Sequence, residues 1–383
     1  MRFSVDAHTI GCRLTGNEVY IRNLLNEFAR LRSSDEFIAY VSKSEAPSFI
    51  PNRIRTRRVS ENPYKRLGWE LATRVRQDGP ALLHVQYTGP AFCRVPQVVS
   101  VHDVSFLDYP QFFTNYRAIQ LRITVQRTIQ KAAAVLTPSE FSRNAILKRY
   151  NIDPAKVVVT PNGVSSQFRP VDRHVAQVAI EKKFKLRGPF VLMVGDLQPR
   201  KNHAGLLRAF ESVMKDYPQL THRLVFVGKE TWYSKELHRA VQSSDLRGRV
   251  HFAGFVDDAD LVHFYGACDL FVFPSFYEGF GLPILEAMAC GRAVACSGTT
   301  AMTEVADGSG LLFDPASVPE MARAMRDILV DPELRVRLER LGVQRAAAFS
   351  WERAARRTLE VYYQVAGSEA PAPVEEAVRA RAL

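Results

Sequence analysis

An α/β fold of two successive domains, each built on a parallel, doubly wound sheet, is the architecture this sequence predicts. Three observations carry it. The chain has 383 residues, more than one hydrophobic core comfortably serves and enough for two domains of about 170 to 190 residues each. Short apolar runs alternate with helical segments, the pattern of strands joined by crossover helices. That alternation pauses and restarts once, after Pro170.

Arg2-Phe3-Ser4-Val5-Asp6 reads as the first strand and residues 11–17 as a polar loop. Residues 18–31 read as a helix, with Val19, Ile21, Leu24, Leu25 and Phe28 at helical spacing. Strands are expected at 37–41, 82–85, 98–101, 134–136 and 157–159, and Arg53-Ile54-Arg55 alternates like an edge strand. The second set lies at 190–194, 223–227, 250–253, 270–273 and 293–295. Pro161-Asn162-Gly163 and Pro170 punctuate the junction, giving domains at 1–165 and 166–350 and a closing segment at 351–383. From about Gly367 that segment has the Ala, Pro and Glu bias of a loose tail.

Composition is ordinary for a globular protein. Nothing resembles a signal peptide and no apolar run approaches the roughly 20 residues of a membrane span, so a cytoplasmic protein is expected, placed at the inner face of the membrane. The odd count of five cysteines, Cys12, Cys93, Cys268, Cys290 and Cys296, with no C-x-x-C pair, argues against a disulfide framework and for small buried apolar residues. No H-E-x-x-H pattern or Cys/His cluster points to a metal, and Asp257-Asp258 reads as a turn. Charge is uneven: residues 1–170 carry 24 Lys and Arg against 13 Asp and Glu, the remaining 27 and 27 cancel, and the first half holds the whole +11. Its densest run is Arg53, Arg55, Arg57, Arg58, Lys65, Arg66, Arg74 and Arg76, with Tyr64 and Trp69 interleaved. That run is either a solvated face or a surface attracted to anionic membrane.

The most informative stretch is Pro274-Ser275-Phe276-Tyr277-Glu278-Gly279-Phe280-Gly281-Leu282-Pro283-Ile284-Leu285-Glu286-Ala287. Pro283 suits a first helical turn and Gly291 a stop just past Cys290, so 282–290 reads as a short helix with Leu285, Met288 and Ala289 inward. The glycines stand at its N-terminus, where unpaired N–H groups and the positive dipole end favour an anion such as a nucleotide diphosphate. Glu278 before the turn and Glu286 inside the helix can each accept two hydroxyl hydrogen bonds, as vicinal sugar diols require.

Written E-G-F-G-L-P-x-L-E-A-M-A-x-G, this run resembles the signature of the family 4 retaining glycosyltransferases, enzymes of the two-domain GT-B fold. It follows Gly254-Phe255-Val256 and Ala267-Cys268-Asp269-Leu270 at the family's spacing. Val194-Gly195-Asp196-Leu197-Gln198-Pro199-Arg200-Lys201-Asn202 is similar to its G-x-L-x-P-R-K-N loop. Thr303-Glu304-Val305, Phe313-Asp314-Pro315 and Phe349-Ser350-Trp351 match further punctuation, so the resemblance spans roughly residues 1 to 365. It implies two Rossmann-like domains facing a central cleft, the first binding acceptor and the second the nucleotide sugar. The helix from Ser350 would cross back to the first domain, with Trp351, Leu359, Tyr362 and Tyr363 as packing residues.

The resemblance also implies roles. Glu286 would bind the nucleotide ribose, Glu278 would face the donor sugar, and Arg200 and Lys201 would neutralise the diphosphate. Many members read G-R-L where this chain has Gly195-Asp196-Leu197, so Arg200 stands in for the missing charge. Gly195, Val256, Gly279, Phe280, Gly281 and Leu282 line the donor site with them. In the first domain, Thr15-Gly16-Asn17-Glu18 corresponds to a G-G-x-G-x-Y loop: Tyr20 and one glycine survive, but Glu18 takes the second glycine's place. Either the backbone at Gly16 and Asn17 meets a phosphate or sugar hydroxyl, or Asn17 is a plain helix cap. His102-Asp103 follows an apolar strand, and in the family this histidine contacts the donor sugar; the alternative is a structural histidine paired with a carboxylate. His84 is the next candidate, His251 and His263 are structural, and Ser139 caps a helix.

The implied reaction moves a hexose, mannose from GDP-mannose being the best guess, from a nucleotide diphosphate sugar to a glycan or lipid-linked hydroxyl, with retention. No metal, cofactor or covalent nucleophile is implied; basic groups and backbone N–H stabilise the leaving diphosphate. UDP-glucose fits the same carboxylates. The rivals are a sugar-nucleotide epimerase, a phosphorylase of similar architecture, and a non-catalytic anionic-surface or nucleic-acid-binding module. The last lacks any nucleic-acid motif and leaves the glutamate pair unexplained.

Overall fold

The computed structural model describes residues 1–12, 15–32 and 34–368. The chain divides into two compact units: Met1–Gly163 together with the segment from Ser350 onward, and Val164–Phe349.

The first unit is built on a seven-stranded sheet. Its strands are β1 (Arg2–Asp6), β2 (Glu36–Val41), β3 (Arg55–Arg58), β4 (Leu83–Gln86), β5 (Gln97–Ser100), β6 (Ala134–Thr137) and β7 (Val157–Val159). They run in the order β3-β2-β1-β4-β5-β6-β7, every pairing parallel. Helices cover the sheet, so β4 and β6 are buried along their whole length; β6 (Ala134–Thr137) is near-continuously apolar, whereas β4 alternates Leu83 and Val85 with the buried polar His84 and Gln86. The Trp351–Val365 helix belongs to this unit. Trp351, Leu359, Tyr362 and Tyr363 are buried, and Tyr362 packs on Phe3 and Phe28 with ring centroids 5.3 and 5.6 Å apart.

The second unit has six parallel strands in the order β10-β9-β8-β11-β12-β13. These are β8 (Phe190–Val194), β9 (Arg223–Val227), β10 (Val250–Gly254), β11 (Leu270–Phe273), β12 (Val294–Ser297) and β13 (Leu311–Phe313). The switch point lies between β8 and β11, and the carboxyl ends of these strands are where a ligand collects in a doubly wound sheet.

Several expectations shift. The first helix begins at Thr15, not residue 18, so Gly16 and Asn17 sit in its first turn and Asn17 is not its cap. The edge strand is Arg55–Arg58 rather than 53–55, and β13 had no counterpart in the reading. Asp257 and Asp258 do not make a turn: they start the Asp258–Ala267 helix. The Asp258-Ala259-Asp260 triplet occupies its first turn, with Asp260 paired to Lys183. Cys268, Cys290 and Cys296 are buried and all five cysteines are free. Among the described residues no helix is long and apolar enough to cross a membrane.

The basic run at the sheet edge is partly spent inside the fold. Arg57 grips the buried Asp78 through two nitrogens, at 2.9 and 3.3 Å. Arg55 lies 3.8 Å from the same carboxylate and 3.9 Å from Glu36.

Candidate active site

In the second unit the loops after β8 and β11 bring the expected residues together. The first folds into a turn at Pro199–Lys201, and Asn202 then caps the His203–Asp216 helix by accepting the Gly205 N–H at 3.2 Å. The Phe276 N–H donates to the Arg200 carbonyl at 2.9 Å, which fixes the two loops against each other. Glu278 is the focus. Its Oε1 accepts from Lys201 Nζ at 2.7 Å and lies 3.0 Å from the Arg200 guanidinium. Burial alone would raise the Glu278 carboxyl, but the two cations outweigh it and hold the group at about 2. Arg200 also donates to the Tyr277 carbonyl, and the Lys201 ammonium sits 4.8 Å over the Phe273 ring. Burial pulls Lys201 down, while Glu278 opposes that pull.

Two glycines keep this corner open. Gly195, at φ +154, lies where a Cβ would come 3.4 Å from the Lys201 side chain, and a Cβ on Gly228 would strike the Gly195 carbonyl oxygen at 2.1 Å. Gly281 caps the Leu282–Ala289 helix at φ +113, a conformation that favours glycine. Leu285, Met288 and Ala289 face inward as expected. Thr300 holds the turn from below: its hydroxyl accepts the Glu278 N–H at 3.2 Å, from a strained backbone at φ 56. Phe280 is buried against Phe349 and Val256 is buried in the core, so both contribute through packing.

Glu286 lies one turn into the helix, half-buried, and accepts a hydrogen bond from the Tyr265 hydroxyl at 2.8 Å. Burial raises its carboxyl to about 7, the Asp258 charge adding to that and the Tyr265 hydrogen bond opposing it. Tyr265 is a partner that the sequence reading missed. So is Lys229, at the carboxyl end of β9, whose N–H donates to Asp196 at 3.2 Å and whose ammonium stands 5.5 Å from the Phe255 ring. A Gly-Lys pair closing an apolar strand was the signal available for it.

In the first unit, His102 emerges at the carboxyl end of β5. Its Nε2 is 2.9 Å from Gln86 Oε1 and so donates to it; Tyr20 and Tyr87 flank the ring with centroids 4.6 and 5.7 Å away. Burial lowers the imidazole to about 4, so it is neutral at physiological pH. Among the described residues no carboxylate hydrogen-bonds to it: Asp103 instead accepts from Ser105, at the backbone N–H (2.9 Å) and the hydroxyl (2.7 Å), securing the short Ser105–Asp108 helix. His84 is a packing group. Its Nδ1 meets the Tyr362 hydroxyl at 2.5 Å and its Nε2 the Ser100 hydroxyl at 2.7 Å, which contacts Tyr20 at 2.8 Å. Burial lowers His84 to about 3. Gly16 is exposed, and a Cβ there would meet nothing within 4 Å. Glu18 ties back the loop by accepting the Gly11 N–H at 2.9 Å. Ser139 caps the Glu140–Arg149 helix as expected.

Two parallel-sheet units, with two cations and a carboxylate beside a glycine-capped helix in the second, define a GT-B glycosyltransferase. The models of "Glycosyltransferase Family 4" and "Glycosyl transferases group 1" match residues 14–168 and 177–345. The chain is 33% identical over 282 residues to the O-antigen chain mannosyltransferase B of Escherichia coli, covering 72% of this chain and 73% of that protein. The chain belongs to the family 4 glycosyltransferases. Its fold is similar to the sucrose-phosphate synthase of Thermosynechococcus elongatus, with TM-score 0.76 at 22% identity over 95% of this chain and 98% of the other. It is similar also to Anabaena HepE in complex with UDP-glucose, with TM-score 0.76 at 19% identity over 94% and 98%.

Proposed function

We propose that this glycosyltransferase moves a hexose, mannose from GDP-mannose, onto a hydroxyl of a glycan or lipid-linked acceptor, with retention at the anomeric carbon and without a metal. The observation that carries the reading is the convergence of Arg200 and Lys201 on Glu278 beside the Gly281 helix end. Two cations against one carboxylate leave one positive charge in a buried corner at a helix N-terminus, and that combination attracts a diphosphate. The family relation to an O-antigen mannosyltransferase supports mannose and a surface-glycan acceptor.

In the reaction the bond from the anomeric carbon to the β-phosphate oxygen breaks, and the bond to the acceptor oxygen forms on the same face. The acceptor proton passes to the departing phosphate. Arg200, Lys201 and the N–H groups around Gly279–Gly281 stabilise the developing charge, an effect commonly worth a hundredfold or more, as an order of magnitude. Glu286 accepts the ribose hydroxyls, Glu278 orients the cations and the sugar, and neutral His102 contacts the sugar. A UDP-sugar donor is the second reading, favoured by the complex of the similarly folded HepE with UDP-glucose. An anionic membrane surface is the proposed meeting place with a lipid-linked acceptor.

A thermal-shift screen with GDP-mannose, UDP-glucose and ADP-glucose tests the donor. A ligand at 100 times its dissociation constant stabilises by about 2.7 kcal/mol. Stabilisation by GDP-mannose, lost in Arg200→Ala and kept in the presence of EDTA, is expected. Stabilisation by UDP-glucose alone would replace mannose transfer with the second reading, and no response to any of the three would overturn both.

A further inference from the structure

Thr300 stands between the end of β12 and the Ala301–Ala306 helix, in a backbone conformation that does not suit a threonine. At φ 56 and ψ −151 it lies in a region that essentially only glycine populates, and a β-branched side chain fits it worst. Lys185, Asn202 and Asp307 also have positive φ, but they are helix caps in the ordinary left-handed conformation, with ψ of 26, 38 and 59. The helix that follows Thr300 gives no reason for the strain, because the Thr300 side chain makes no capping hydrogen bond to it.

What the conformation achieves is a grip on Glu278. The Thr300 hydroxyl accepts the Glu278 N–H at 3.2 Å, and the next residue, Ala301, donates its own N–H to the Glu278 carbonyl at 3.4 Å. Two consecutive residues thus hold both backbone polar groups of Glu278. They are themselves anchored: the Thr300 carbonyl accepts the Thr303 hydroxyl at 3.0 Å, and Ala301 and Met302 are fully buried. From the other side, the Phe276 N–H donates to the Arg200 carbonyl at 2.9 Å, and Arg200 donates to the Tyr277 carbonyl. The segment 276–278 is therefore fixed between the loop that bears the cations and Thr300, with the Glu278 carboxylate on Arg200 and Lys201.

We infer that Thr300 is a positioning residue for the transfer reaction: its strained backbone sets the hydroxyl under the Glu278 amide and so keeps the Glu278 carboxylate on Arg200 and Lys201. Strain of this kind persists only where the surroundings over-determine it, and here they include the residues of the candidate clamp. The inference rests on the role proposed for Glu278, but the grip itself is measured without catalysis.

A double-mutant cycle in calorimetry tests it. Thr300→Gly removes hydroxyl and strain together, whereas Thr300→Ser keeps the hydroxyl. The glycine variant is expected to melt no lower than wild type, since the strain released offsets the hydrogen bond lost. In its background Glu278→Gln is expected to lower Tm by about half or less of what it does in wild type, because the carboxylate is no longer held on its cations. In the Thr300→Ser background the full drop is expected to return. GDP affinity is expected to stay close to wild type in Thr300→Gly, while kcat for transfer from GDP-mannose falls by about tenfold or more and recovers in Thr300→Ser. The inference is overturned if Glu278→Gln costs the same on the wild-type and glycine backgrounds, if Thr300→Gly melts well below wild type, if GDP binding is lost along with turnover, or if Thr300→Ser is as slow as Thr300→Gly. Wild-type protein that binds GDP yet transfers nothing from GDP-mannose or UDP-glucose would overturn the transferase reading instead, and the melting cycle would still decide whether Thr300 holds Glu278.

Discussion

Replacing Glu278 by Gln removes the one carboxylate that Arg200 and Lys201 share, and its consequence can be worked from the site. The carboxyl stands at about 2 against an ordinary 4.5. At about 1.4 kcal/mol per pH unit, the ionised form is favoured in the folded chain by about 3 kcal/mol. Glu278 is nearly buried, so solvent screens little of this, and the variant also leaves two cations without their counter-charge. For a unit of this size, about 3 kcal/mol corresponds to a fall in Tm of about 6–12 °C. A depressed carboxyl stabilises above its unfolded value, and that stability drains away as pH falls from about 4.5 toward 2. Calorimetry of both proteins between about pH 3 and pH 7 should therefore show a full gap at neutral pH that narrows at the acid end. GDP should stabilise the variant at least as well as the wild type, because the diphosphate restores the missing negative charge. A gap absent at neutral pH, or undiminished near pH 3, would refute the reasoning.

Turnover in Lys201→Ala and in Arg200→Ala should fall by about 100-fold or more, since on the proposed reading each removes charge facing the leaving diphosphate; near-normal steady-state rates in both would take this loop out of the phosphate clamp. Glu286→Ala should weaken nucleotide binding by about 1.5–3 kcal/mol in titration calorimetry, and unchanged affinity would end the ribose assignment. Because burial raises Glu286 to about 7, its carboxylate form, the one that would accept ribose hydroxyls on the proposed reading, grows as pH rises. Nucleotide affinity should climb through neutrality and level off above it. Tyr265→Phe should move that midpoint upward by removing the hydrogen bond that favours the charged form, and a pH-independent affinity would contradict the role of burial.

Strand positions and the glycine-turn motif were legible because both rest on local pattern: apolar runs of strand length, and a Pro and Gly where a helix starts and stops. β13 (Leu311–Phe313) escaped because its last residue, Phe313, was read only as part of the Phe313-Asp314-Pro315 punctuation. The early start of the first helix escaped because Gly16 and Asn17 are poor helix formers whose placement there is a tertiary matter. Roles set by distant partners were out of reach. Nothing local says that His84 bonds to Tyr362, 278 positions away, or that the Arg57 charge is taken up by Asp78. The same limit applied to the basic surface: density along the sequence pointed to Arg53–Arg58, whereas what distinguishes charge is whether a carboxylate packs against it.

That distinction also explains how Glu278 can serve two ends. In this corner one carboxylate oxygen takes both cations, at 2.7 and 3.0 Å, so Glu278 holds the two of them together. On the proposed reading the incoming diphosphate competes for those cations, and each contact it gains loosens Glu278 toward the sugar hydroxyls. The cations are thereby oriented without being fully neutralised, which is the preorganisation that electrostatic stabilisation of a leaving group requires. A glutamine at 278 could still bond to sugar hydroxyls but could not hold two cations together. Loss of turnover with retained GDP affinity in that variant is therefore what separates an orienting carboxylate from a mere hydrogen-bonding one, and full turnover with glutamine would leave the charge without a purpose in transfer.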